Sequence, residues 1–124
     1  MLLDLLRALA EVGGATFVVG TAEAIGELPG PRRVSSDGGW ATLEGGEGCA
    51  CHIHLHLDGL AEVRFVEGPG HGPGTKSFSV RFFRPAGELP AFAVYLAAEP
   101  YQALRDRFGG RDRIALTRAD KLTS

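Results

Sequence analysis

Leu2, Leu5, Leu6, Leu9 and Val12 recur every three or four positions, with Asp4, Arg7 and Glu11 between them. That spacing predicts an amphipathic helix, which Gly13-Gly14 ends. The apolar period then shortens to two. ATFVVGTAEAIGEL (15–28) is β-branched and aromatic at its start and predicts one bent strand or two short ones before the LPGPRR turn at 28–33. SSDGG (35–39) reads as a turn, WATLE (40–44) as a short strand, and GGEG (45–48) as another turn. From Cys49 to Leu57 the alternation is strict. Cys49, Cys51, Ile53, Leu55 and Leu57 fall on one face of a strand, and His52, His54 and His56 on the other.

Asp58-Gly59 turns the chain, and LAEVRFVE (60–67) returns as a strand. GPGHGPG (68–74) cannot hold regular structure and reads as a loop. KSFSVRFF (76–83), the turn PAGEL and PAFAVYLA (90–97) predict a hairpin. Pro100 suits the first turn of a closing helix in which Tyr101, Leu104 and Phe108 repeat at helical spacing until Gly109-Gly110. The sum is one α+β domain over 1–124: about six or seven antiparallel strands flanked by an N-terminal and a C-terminal helix. Leu5, Leu9, Val63, Phe65, Phe78, Val80, Phe82, Val94, Leu96 and Leu104 are expected in its core, and Phe92 and Tyr101 at a dimer interface. No alternation of β and α units points to a doubly wound fold.

Composition narrows the function classes more than the fold. With 44% apolar and 23% charged residues the chain has the balance of an ordinary globular domain. A formal net charge of −2 gives no electrostatic case for nucleic acid. Between Arg105 and Lys121 six Lys/Arg stand against three Asp, which reads as a solvated helix face with a frayed end. No apolar run reaches the ~20 residues of a membrane span. The opening MLLDLLRALAEV is too interrupted for a signal-peptide core. A cytoplasmic location is the expectation, in which Cys49 and Cys51 stay reduced as small buried apolar groups.

The candidate chemistry lies in the histidines. Imidazoles at i and i+2 of a strand share a face about 7 Å apart, and two can converge on one metal ion if a neighbouring strand adds a third ligand. All three cannot, because the outer pair is separated by about 13 Å along the strand. Three readings of His52, His54 and His56 stay open: ligands of a non-haem metal, ligands of an organic or haem cofactor, or the polar face of a half-buried strand. His71, in the glycine-rich loop, is a further group that a mobile lid could bring to a ligand. There is no GxSxG, Walker, HExxH or CxxC pattern, and Glu62 and Glu67 have no visible partner, so a binding protein is expected rather than an enzyme.

Three ordered blocks carry a resemblance: FVVGTAEAIGELPG (17–30), CHIHLHLDGLAEVRFVE (51–67) and SFSVRFFRPAGELPAFAVYLAAE (77–99). Together they are similar to the ChuX/HutX-type intracellular haem-utilisation family over roughly residues 13–100. The resemblance implies antiparallel sheets flanked by helices, frequent homodimers, and haem bound on a sheet surface by a haem-trafficking protein. It carries the family's H-I histidine onto His52 as the axial ligand. The position of a second family histidine is Gly20 here, and that of a lysine on the return strand is Ala93. His54, His56 and His71 then stand as substitute ligands, and Arg32, Arg33, Arg64 and Arg81 as candidate partners for the haem propionates. The alternatives are a metal-binding sheet and a ligand-free module of the same fold that docks a protein partner.

Overall fold

The computed structural model describes residues 1–20, 23–29, 33–45 and 52–121. Cys49, Cys51 and Arg32, and with them part of the first resemblance block, lie outside the described residues. The predicted N-terminal helix is present as α1 (Leu2–Ala10), and Leu2, Leu5, Leu6 and Leu9 are fully buried. Each such leucine contributes roughly 1.5–3 kcal/mol of apolar transfer free energy. The segment after it forms two strands rather than one: β1 (Thr16–Gly20) and β2 (Ile25–Pro29) pair as a hairpin.

β3 (Arg33–Asp37), β4 (Trp40–Glu44) and β5 (His52–His56) form a small antiparallel sheet in that order. The Ser-Ser-Asp stretch, expected as turn, is thus the end of a strand. Only Gly38 and Gly39 make the bend. Both have positive φ (57° and 86°), as a two-residue hairpin loop between right-twisted strands requires. A 3-10 turn at Leu57–Gly59 leads into β6 (Glu62–Pro69), β7 (Lys76–Phe83) and β8 (Phe92–Leu96). The closing helix is α2 (Ala98–Arg107).

The basic tail is not a frayed helix end. It contains β9 (Arg113–Ala115), which pairs with β6, and the short α3 (Arg118–Lys121). Thr117 and Asp120 cap that turn reciprocally: the Thr117 N–H donates to Asp120 Oδ2 at 2.8 Å and the Asp120 N–H to Thr117 Oγ1 at 3.2 Å. The larger sheet runs β2-β1-β8-β7-β6-β9, antiparallel throughout. Nine strands among the described residues therefore replace the expected six or seven.

One hydrophobic cluster joins α1, the inner faces of both sheets and Tyr101 and Leu104 of α2. All ten residues expected in the core belong to it or pack against it, Phe78 being the one that is only partly buried. Phe92 and Tyr101 are not interface residues in this structure. Phe92 is 1% exposed between the rings of Phe17 and Phe82, with centroids at 5.6 and 5.2 Å. Tyr101 is buried against Phe65 and Phe78. Their place follows from strand parity: Phe92 shares a face of β8 with Val94 and Leu96, so it faces inward with them.

Candidate functional site

The alternation read from the sequence is realised along β5, whose burial runs exposed, buried, exposed, buried, exposed. Ile53 and Leu55 join the core, and His52, His54 and His56 project from the opposite face. Register then gives each imidazole a neighbour on β4: Glu44 opposite His52, Thr42 opposite His54, and Trp40 opposite His56.

These neighbours treat the three rings differently. His54 Nδ1 and Thr42 Oγ1 lie 3.0 Å apart and share a hydrogen bond. His56 is stacked on Trp40, ring centroids 4.8 Å apart and planes inclined by 25°. His52 only touches the ring of His54, edge to face at 4.8 Å, and its nitrogens form no hydrogen bond among the described residues. The carboxylate opposite it, Glu44, faces Arg33 Nε at 3.5 Å. Arg33 thus sits at the edge of the histidine face. Among the described residues no three His, Cys, Asp or Glu side chains converge on a point where a metal ion would sit.

His71 is not beside these rings. It is exposed in the loop that closes the β6–β7 hairpin, in the other sheet. That loop is braced by Thr75, whose hydroxyl donates to the Gly72 carbonyl at 2.6 Å and accepts from the Gly72 N–H at 3.0 Å. The loop read from the sequence thus contains a hydrogen-bonded turn at Gly72 and Thr75.

Arg64 and Arg81 also lie in the larger sheet, on its outer face, and the structure does not join them to the histidine strand. Arg64 Nε donates to Glu62 Oε1 at 2.7 Å, and its guanidinium lies 4.0 Å from the ring centre of Phe83. The Arg64 hydrogen bond, aided by the charges of Arg64 and Arg113, holds the Glu62 carboxyl below its ordinary range despite some desolvation. Arg81 Nε donates to Ser79 Oγ at 2.9 Å; Ser79 is itself buried. Glu67, unpartnered in the sequence, is ion-paired with Lys76 at 2.9 Å.

Two open clefts lie on this outer face. One of about 690 Å³ includes Arg64, Arg81 and Arg113 with Phe83, Leu89 and Pro90. The other, about 230 Å³, is walled by Val18, Ile25, Ala93 and Tyr95 and has Gly20 at its rim. Gly20 and Ala93, the two positions where the resemblance implies a histidine and a lysine, therefore meet in one cleft. Sequence reading missed Arg113, Ser79 and Tyr95. The β7–β8 hairpin register pairs Ser79 with Tyr95 and Arg81 with Ala93, so those two were available from the predicted hairpin. Arg113 was hidden because three residues between glycines and a short helix give no strand signal.

A family model described as haem utilisation ChuX/HutX matches residues 2–109. The chain is also similar to solved structures. One is a protein from Agrobacterium tumefaciens, at 24% identity and TM-score 0.68, with 86% of this chain and 66% of that one covered. Another is the heme binding protein ChuX, at 19% identity and TM-score 0.68, covering 85% and 70%. A third is from Erwinia carotovora, at 23% identity and TM-score 0.66, covering 86% and 68%. At these identities the likeness establishes a shared fold. The chain spans about two thirds of the length of these structures. No curated protein matches it.

Proposed function

Since the chain belongs to the ChuX/HutX haem-utilisation family, we propose that it binds haem, with His52 as an iron ligand, and that it carries haem rather than transforming it. The proposal includes a cytoplasmic setting and a homodimer. The observation that supports His52 is the unequal engagement of the three imidazoles. His54 is tied to Thr42 and His56 lies on Trp40, whereas the His52 nitrogens are uncommitted among the described residues. A ligand must present a nitrogen lone pair to the iron. Among the described residues His52 has both nitrogens and both ring faces clear of β4, whereas His54 has Nδ1 engaged by Thr42 and His56 has one face covered by Trp40.

Ligation should decide the affinity. Burying on the order of 500 Å² of porphyrin gains about 12 kcal/mol at ~25 cal/mol per Å². Association costs about 4–15 kcal/mol, so contact area alone leaves little surplus. Titration of the apo-protein with hemin, followed at the Soret band, tests the reading. A saturable one-to-one shift is expected, with affinity at least tenfold weaker in His52→Ala. Unchanged affinity in that variant would remove His52 from the site, and no shift in the wild type would defeat the haem reading itself. Light scattering of the same samples checks the homodimer.

A further inference from the structure

His52 and His54 stand two positions apart on β5, both exposed, with ring centres 4.8 Å apart. That separation has a chemical meaning. A metal–nitrogen bond of about 2 Å puts an ion about 3.2 Å from the centre of the imidazole that binds it. Two imidazoles held at angles of about 90–109° on one ion then have centres about 4.5–5.2 Å apart. The two rings already lie at chelating distance. They meet edge to face, so only rotations about exposed side-chain bonds are needed to aim a nitrogen of each at a shared point.

The neighbouring strand prepares one of the two. Thr42 Oγ1 lies 3.0 Å from His54 Nδ1. When the ring donates its Nδ1 proton to that hydroxyl, the lone pair is on Nε2, at the far side of the ring from β4. A hydrogen bond of this kind at one ring nitrogen is what orients a metal-binding histidine. Register sets Glu44 opposite His52 and Arg33 opposite Glu44, and these two are ion-paired at 3.5 Å. Their charges offset each other, so the cation beside the pair is answered by a carboxylate. His56 is held differently, on the face of Trp40.

We infer that His52 and His54 form a two-histidine site for a divalent first-row transition ion such as Ni²⁺ or Zn²⁺. Imidazole nitrogen suits these ions. The chain supplies two ligands and water the remainder of the shell, which agrees with the lack of a third converging side chain among the described residues. Thr42 is a positioning residue that acts through His54. The site shares His52 with the haem reading but does not rest on it.

The test uses protein without a histidine tag, titrated with Ni²⁺ and followed by the fluorescence of Trp40, the chain's single tryptophan, which belongs to the same sheet face. Zn²⁺ calorimetry supplies the stoichiometry. One equivalent of each ion is expected to bind, at least tenfold more weakly in His52→Ala and in His54→Ala and within twofold of wild type in His56→Ala and His71→Ala. Thr42→Val should weaken binding at least threefold, and Thr42→Ser, which keeps the hydroxyl, should restore it. Equal affinity in wild type and in the His52→Ala/His54→Ala double variant would overturn the site. So would a loss in His56→Ala matched by none in His52→Ala. Hemin titration of the same samples separates the two readings. Ion binding without hemin binding would uphold the histidine pair and defeat the haem reading, whereas hemin binding without ion binding would do the reverse.

Discussion

Glu62 Oε1 accepts a hydrogen bond from Arg64 Nε at 2.7 Å. The same oxygen lies 3.7 Å from Arg113 Nε, so one carboxylate offsets two arginines. Its pKa is lowered, chiefly by the Arg64 hydrogen bond. A group whose pKa is lower in the folded than in the unfolded state adds stability above its unfolded value of about 4.5 and loses it as pH falls through the folded value. Stability should therefore decline below about pH 4.5 partly through this residue. Denaturant unfolding at a series of pH values is expected to show a shallower acid decline in Glu62→Gln than in the wild type, and lower stability at neutral pH. Parallel pH profiles would show that Glu62 does not carry the effect.

Gly20 bears on whether a second iron ligand can be restored. It has φ of +143°, and a Cβ there would collide with the Ala24 carbonyl oxygen and lie 2.9 Å from Ile25 Cα. Both obstacles are backbone of the β1–β2 hairpin. Gly20→His should thus destabilise the fold by about 1–3 kcal/mol and bring no tighter hemin binding. Gly13, where an added Cβ would meet nothing within 4 Å and φ is not positive, is the control: Gly13→Ala should stay within about 0.5 kcal/mol of wild type. Thermal unfolding of the two variants, with hemin titration of the first, decides the point.

Phe92 separates a core role from an interface role. Its ring is enclosed by Phe17 and Phe82 within one chain. Phe92→Ala should cost about 3–5 kcal/mol, independent of protein concentration. An interface residue would instead show a loss that grows on dilution. Chemical denaturation at two protein concentrations tells the two apart.

How much of this was legible in the sequence depended on the strength of the local pattern. The α1 leucines, the β5 alternation and the β7–β8 hairpin were readable because burial on one face imposes a period that one chain segment shows by itself. β3 was not, since Arg-Val-Ser-Ser-Asp is polar and is held by pairing with β4 rather than by apolar alternation. β9 was not either: three residues cannot display a period, and only the exposed edge of β6 gives Arg113 its place. The same limit applied to the site. His52, His54 and His56 were seen to share a face, but their inequality comes from Thr42 and Trp40 on β4, ten or more positions away. The approach of Arg113 to Glu62 likewise exists only through the β6–β9 register.

The central claim is that His52 alone of the three β5 imidazoles ligates haem iron. The most direct measurement compares ferric haem absorption in His52→Ala, His54→Ala and His56→Ala, each with and without added imidazole. All three side chains are exposed, so folding should survive in each. The expected result is that His52→Ala alone loses the wild-type Soret position and that added imidazole restores it. Wild-type spectra in all three variants, or loss in His54→Ala or His56→Ala instead, would contradict the claim.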